Sequence, residues 1–478
     1  MRILFPASEV VPFSKTGGLA DVSGALPIVL AERGHEVRVV TPLYRTVPRE
    51  QLRETGRTFT LQFPFGEVVV RTWEASLHER ATVVFLDVPQ LFDREQLYGD
   101  ARGDYPDNAR RFAVLSMAAL TEAQAAGFEP DILHCHDWQT GLAPMALRRG
   151  YARAFPKTKS VLTVHNLAYQ GGFQKTALPE LGIPWSDFSP GGVEFWDHLS
   201  MLKTGIVFAD AVTTVSPTYA KEISSPQDGM GLDGVLRAKP GGVIGIVNGI
   251  DTNEWSPATD VYLPARFSDA DLAGRAVCRS TLLETMRLQP PADGMPLFGV
   301  IGRMVEQKGA DLLHAALPVF LEHGAAVVVL GSGAAKLEQG WKTLAARYPL
   351  RVGVKLGYDT GLAHLIEAGS DFFLMPSRFE PCGLNQMYSQ RYGCVPIVHA
   401  VGGLVDTVQD VRGGEGTGIT FRGATVEAVQ GALQRAMELY QSKQTFLEVQ
   451  RRGMRTDFSW DASAARYEAV YAELAERR

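Results

Sequence analysis

The chain has 478 residues, 45% hydrophobic and 21% charged, with a net charge of −6; this exceeds one ordinary core and predicts two large domains. That balance, with a pI near 6.0, offers no basic surface for tracking a phosphate backbone and so excludes nucleic acid as an expected partner. The 48 glycines are scattered among junctions and form no low-complexity run, so disorder is not expected.

Arg2 to Ala7 reads as a short apolar strand, and polar Ser8 and Glu9 follow too soon for a signal core. No later stretch reaches the roughly 18 apolar residues of a membrane span. A cytoplasmic protein without a membrane partner is expected. Cys135, Cys278, Cys382 and Cys394 lie far apart with no C-x-x-C pair, which predicts buried thiols instead of a disulfide framework or zinc knuckle.

Leu19 to Arg33 carries helix-spaced apolar residues, and Gly34 to Pro42 reads as turn then strand, completing a β-α-β unit. Apolar runs recur at Ala81 to Val88, Asp131 to His136, Ser160 to His165 and Ala211 to Ser216. Such alternation implies a parallel sheet covered on both faces. At Val247-Asn248-Gly249-Ile250-Asp251 a strand meets a turn signal, the expected hinge. The scheme then repeats with Leu297 to Gly302, Ala325 to Leu330, Val352 to Leu356, Asp371 to Met375 and Val395 to His399. The expected division is 1–247, 248–458, and a C-terminal helix within 459–478 that packs back on the N-terminal domain. Gly-Gly-Leu-x-Asp occurs in both halves, at Gly17 to Asp21 and Gly402 to Asp406, which suits two similar domains. Ligands of open α/β sheets sit at the carboxyl ends of the strands, so the expected site is the cleft between two facing Rossmann-like domains.

Four motifs stand at such strand ends. Lys15-Thr16-Gly17-Gly18-Leu19-Ala20-Asp21 follows the first strand and opens the first helix; glycines there admit a ligand to the backbone, and the helix start with Lys15 favours an anionic phosphate over a mere packing turn. Arg303 and Lys308 leave the strand Leu297 to Gly302, a fork and a point charge suited to a leaving diphosphate, though a pair of solvated cations looks the same in sequence. Glu380 lies in the loop after Asp371 to Met375, followed by Cys382, Gly383 and Leu384 at a helix start. A carboxylate there is able to bind sugar hydroxyls or steady an oxocarbenium-like transition state, or simply to start a helix. His134-Cys135-His136-Asp137-Trp138 and Thr163-Val164-His165-Asn166 both end strands; with no third ligand at metal spacing, sugar hydrogen bonding is the better reading. Gly331-Ser332-Gly333 lacks the third glycine of a dinucleotide fingerprint.

Taken together and in this order, the motifs resemble the bacterial glycogen synthases and plant starch synthases, over Met1 to about Tyr467. The resemblance implies a GT-B fold and a retaining glucosyltransferase that needs no metal or other cofactor, and that moves glucose from ADP-glucose to the non-reducing end of glycogen or a maltooligosaccharide. It implies that Lys15, Gly18 and Asn248 contact the donor, and that Asp21, Asp137 and His165 line the glucose and acceptor side. It further implies that Arg303 and Lys308 hold the diphosphate, Glu380 serves the transition state, Cys382, Gly383 and Leu384 line the donor pocket, and Tyr358 meets the adenine. Gln139, Ala334, His399 and Val401 depart from the family's usual His, Asp, Arg and Thr, and Tyr388 stands where related transferases carry a second Glu. Two rivals are a same-fold transferase with a small acceptor and an NAD-dependent dehydrogenase; a glucan-binding protein without activity is a third.

Overall fold

The computed structural model describes residues 1–100 and 102–476. The chain forms two compact units, Met1–Gly249 joined by the segment from Trp460 on, and Ile250–Ser459.

The first unit is built on a nine-stranded sheet. Its centre is Arg2–Pro6, whose Ile3, Leu4 and Phe5 are fully buried because both faces of the sheet are covered. Parallel to it run Glu36–Pro42 on one side and Ile132–His136 on the other, with Ile3 opposite both Val37 and Ile132. Lys159–Val164, Ala211–Thr214 and the short Val243–Gly245 extend one wing in parallel. The other wing corrects the expectation of a purely parallel sheet. After Ala81–Asp87 come two long antiparallel strands, Gly66–His78 and Arg53–Phe63, joined through Pro64 and Phe65. Their side chains alternate between buried or half-buried and exposed, the period-2 pattern of a sheet wing with one wet face, which a search for continuous apolar runs passes over.

The helix Trp460–Glu476 packs beside Gly18–Glu32. Glu468 accepts from Arg33 at 2.7 Å and meets His35 Nε2 at 2.8 Å, and the buried Tyr471 hydroxyl bonds His134 Nδ1 at 2.8 Å. A small antiparallel sheet, Gly172–Gln174, His198–Ser200 and Glu194–Phe195, stands apart from the main one.

The second unit carries six strands, all parallel, in the order Val352–Leu356, Ala326–Gly331, Leu297–Ile301, Phe372–Met375, Val395–His399, Ile419–Phe421. Adjacent Phe372 and Phe373 point to opposite faces. Phe372 joins a core with Phe298, Trp341 and Leu433, whereas Phe373 joins Met375, Val398 and Leu404. The strand order reverses between Leu297–Ile301 and Phe372–Met375, the topological switch point at which such sheets bind ligands. No helix among the described residues is long and apolar enough to cross a membrane.

Candidate active site

In the first unit the sheet's switch point lies between Arg2–Pro6 and Ile132–His136, and both following loops carry candidate residues. A Cβ added to Gly17 or Gly18 would meet no protein atom within 4 Å. Packing therefore does not demand glycine there, and the loop's open side is left for something else. Lys15 Nζ reaches Asp21 Oδ1 at 2.6 Å, pairing a loop residue with one on the helix it opens. Burial pushes the Asp21 carboxyl above its usual range, with Lys15 pulling the other way.

Sequence reasoning missed what shapes this loop. The carboxylate of Glu9, only 3% exposed, accepts from Thr16 N at 2.5 Å, Thr16 Oγ1 at 2.6 Å, Gly17 N at 3.1 Å and the Tyr98 hydroxyl at 2.6 Å. One buried anion thus ties down two successive backbone amides that would otherwise favour other loop shapes. The available signal was a carboxylate two residues past an apolar strand, just ahead of a glycine loop.

At the ends of the next two strands four polar side chains form a buried row. His134 Nε2 meets Thr163 Oγ1 at 2.7 Å, and His136 Nδ1 meets His165 Nε2 at 3.0 Å. Burial holds all three imidazoles neutral, pushing His134 and His165 down to about 3 and His136 well below its ordinary value. Asp137 takes φ +55°, rare for a residue with a Cβ, and from there its Oδ1 accepts from His165 N at 2.7 Å. Asp137 and His165 are therefore fixed together. Burial raises the Asp137 carboxyl to about 7, the His165 and Asn166 amides offsetting part of the rise.

That carboxyl makes a pH-dependent stability effect measurable. In the unfolded chain it ionises near the ordinary aspartate value of 3.8, while in the folded chain it keeps its proton up to about 7, so the folded state binds more protons between these values and loses stability as pH rises through them. Asp137→Asn removes this linkage. The stability of the variant minus that of the parent is expected to increase by about 2–3 kcal/mol between pH 5 and pH 8, read from urea unfolding at each pH. A pH-independent difference would contradict the raised carboxyl.

Asn248 is buried, and its Oδ1 has no hydrogen-bond partner among the described residues. Gly249 beside it must be glycine, since a Cβ there would come within 2.6 Å of Trp460 Cα. Gln139 is buried too, and its Oε1 likewise has no hydrogen-bond partner among the described residues.

The second unit assembles its candidates at its own switch point. Lys308 Nζ bonds Glu380 Oε2 at 2.5 Å, and Ser377 Oγ donates to the same oxygen at 2.9 Å. The Glu380 side chain is 6% exposed and that of Lys308 28%. Two loops are locked to achieve this. Arg378 grips both oxygens of Asp311 at 2.9 and 2.6 Å, Arg378 N donates to Gln307 O, and Gln307 Nε2 donates to Phe379 O. Gly309 at φ +70° lies so close to Pro376 O that a Cβ would fall 2.3 Å away, so the loops dock backbone to backbone.

Arg303 follows Gly302 at the end of Leu297–Ile301, where Met304 N bonds Ser332 O of the neighbouring strand end at 2.8 Å. Tyr358 stands after Val352–Leu356 with 74% of its surface exposed. Cys382 is buried, and its carbonyl lies 2.2 Å from where a Gly403 Cβ would be. Gly383 at φ +73° and Leu384 precede the helix Asn385–Arg391. The structure thus joins Lys15 with Asp21, Asp137 with His165, and Lys308 with Glu380, and sets Arg303, Tyr358 and Cys382 to Leu384 on separate strand ends. Among the departures, His399 Nδ1 bonds Ser377 O at 2.7 Å, beside the Glu380 loop. Ala334 and Val401 begin helices without a capping side chain. Tyr388 stacks on Trp255, centroids 3.8 Å apart.

Residues 2–238 match the starch synthase catalytic domain and 284–452 the glycosyl transferases group 1. The glycogen synthase of Myxococcus xanthus (strain DK1622) is 53% identical, covering 99% of each chain, and that of Anaeromyxobacter sp. (strain Fw109-5) is 51% identical over 99% of this chain and 100% of its own. The catalytic domain of starch synthase IV from Arabidopsis thaliana, solved bound to ADP and acarbose, superposes with a TM-score of 0.92 at 34% identity, covering 100% of this chain and 99% of that one. Similarity of this extent, carried through both Rossmann-like units, leaves no place for a dehydrogenase: the chain belongs to the glycogen and starch synthase family of GT-B glycosyltransferases.

Proposed function

We propose that this chain acts in the cytoplasm as a glycogen synthase, transferring glucose from ADP-glucose to the non-reducing end of an α-1,4-glucan with retention of the α configuration. The observation that carries the reading is the buried Glu380 carboxylate held by Lys308 and Ser377 at the second unit's switch point. The bond from the glucose anomeric carbon to the β-phosphate oxygen breaks, and negative charge grows on departing ADP. Arg303 and Lys308 meet that charge, while Glu380 faces the sugar as it gains positive character. The acceptor 4-hydroxyl attacks from the face that ADP leaves, and its proton passes to the departing phosphate. Asp137, poised near neutrality, and His165 hold hydroxyls of the sugar. Lys15, Gly18 and Asn248 hold the donor, with Tyr358 on the adenine and Cys382, Gly383 and Leu384 along the pocket.

The test is incorporation of labelled glucose from ADP-glucose and, in parallel, UDP-glucose into added glycogen, with the product digested to establish α-1,4 linkage. Incorporation from ADP-glucose supports donor, acceptor and linkage together. Folded protein that extends no glucan from either donor would favour the small-acceptor transferase.

The Glu9 anchor yields a prediction within this reading. In Glu9→Gln the amide oxygen stays on the Thr16 and Gly17 N–H groups and the NH2 turns to the Thr16 and Tyr98 hydroxyls, so two hydroxyl donors lose their acceptor and all four bonds lose the charge, at a cost of about 1–3 kcal/mol. The loop loses its shape before the fold is lost. The KM for ADP-glucose is expected to rise about tenfold or more with a smaller fall in kcat, and Glu9→Asp to recover part of it. An unchanged donor KM would mean that Glu9 does not set the loop.

A further inference from the structure

The small sheet of the first unit carries the most exposed aromatic residue among those described: Trp196, 76% exposed, at the tip of the hairpin between Glu194–Phe195 and His198–Ser200. Five non-glycine residues among those described have positive φ, and three of them gather here: Trp196 at +51°, Asp197 at +61° and Met230 at +48°, with Asp137 of the candidate site a fourth. Trp196 and Asp197 are the two loop residues of a tight hairpin, whose turn takes positive φ at both positions, and a tryptophan stands there where glycine or asparagine is the easy choice.

The surroundings hold that turn. Lys203, buried below the hairpin, donates to Pro190 O at 2.6 Å and to Glu194 O, and Asp197 N donates to Glu194 Oε1 at 2.8 Å. Gly231, at φ +83°, passes so close that a Cβ would lie 3.1 Å from Trp196 Nε1, and Gln170 Nε2 bonds Met230 O at 3.3 Å. The hairpin that carries the indole is thus held from several sides. Polar pairs flank it, Lys175 on Asp197 at 2.7 Å and Gln174 on His198 at 3.2 Å, both exposed.

The platform is continuous with the candidate site. The chain runs from His165 through Tyr169, itself half exposed, to Gly171, where a Cβ would come within 2.6 Å of the Trp138 ring, and on to Phe173, whose ring packs 5.7 Å from Trp138. Trp138 directly follows Asp137.

We propose that Trp196 is a stacking subsite for the acceptor glucan, an inference that rests on the glycogen synthase reading. A pyranose has one face of C–H groups and a rim of hydroxyls. An indole, with only two side-chain torsions to fix, offers the flat apolar surface at little entropic cost, and the carboxylate, ammonium and amide groups around it suit the hydroxyls. A protein partner would call for a broad contiguous apolar patch, and here Trp196 and the exposed Met230 stand among charged and amide side chains.

Trp196→Asn tests this without adding strain, because asparagine tolerates positive φ while removing the ring. In initial-rate assays with glycogen the acceptor KM is expected to rise about tenfold, with the ADP-glucose KM as internal reference shifting less than twofold. Trp196→Phe, which keeps a stacking face, should restore most of the loss. Retardation of the free protein in native gels containing glycogen should fall in parallel. An acceptor KM that stays put in Trp196→Asn while the parent extends glycogen overturns the subsite. Loss of self-association in that variant without any change in acceptor KM would overturn it in favour of a protein contact. A parent that extends no glucan would instead fail the functional reading beneath it.

Discussion

Glu380→Gln is expected to lower kcat by about 10²–10³ while the ADP-glucose KM changes only a few-fold. Glutamine keeps the volume and leaves an oxygen for Ser377, so the loop locked by Arg378 and Asp311 has no steric reason to move. What disappears is the negative charge, now 6% exposed and opposed by a single ammonium. A charge that acts on positive character developing at the sugar contributes only while the donor bond breaks, so its removal registers in kcat and not in substrate binding. The Lys308 ammonium is left without this partner, but it is partly exposed, so the stability cost is about 1 kcal/mol. Glu380→Ala should be at least as slow, since a cavity joins the lost charge. Steady-state kinetics together with thermal unfolding of both variants decide the matter. A folded Glu380→Gln protein working within fivefold of the parent rate would remove Glu380 from the chemistry and reduce its pair with Lys308 to a loop fastening.

The strands that lie between helices were legible because burial on both faces makes them continuous apolar runs: Arg2–Pro6, Ile132–His136, Leu297–Ile301 and Phe372–Met375 all read directly. Arg53–Phe63 and Gly66–His78 were not, because a half-wet edge alternates and carries as many charges as a loop. Val243–Gly245 and Ile419–Phe421, three residues each, exist as strands only through a longer neighbour. Most candidate residues were legible by type and order because they follow strand ends that the pattern marked, with Gly18 and Asp21 on the helix that opens after the first strand. Their partners were not. That Lys308 bonds Glu380 across 72 positions, or that Glu9 shapes the Lys15 loop, depends on backbone docking such as that of Gly309 on Pro376, which leaves only an unexplained glycine in the sequence. The neutrality of His134, His136 and His165 was hidden for a similar reason, because burial is its largest cause, with neighbouring imidazoles adding to it only at His134 and His136.

Arg303→Ala is expected to lower kcat by about 10²–10³, with a signature that separates it from Glu380. Arg303 leaves the central strand Leu297–Ile301 at the switch point, on the strand next to the one that leads to Glu380. In the intact donor the β-phosphate carries a diester's charge; one more grows on ADP as the glycosidic bond breaks, and free ADP regains it once the acceptor's proton is lost to water. A guanidinium aimed at that phosphate therefore holds the product and the transition state more tightly than the substrate. Its removal should weaken ADP, measured as a product inhibitor, more than it raises the ADP-glucose KM. Arg303→Lys should recover some of the rate but little of the ADP affinity, because a point charge replaces a fork. Product-inhibition constants for the three proteins are the measurement. Equal weakening of ADP and ADP-glucose, with kcat intact, would make Arg303 a uniform binder of the nucleotide and leave Lys308 as the only cation here proposed to meet the departing charge.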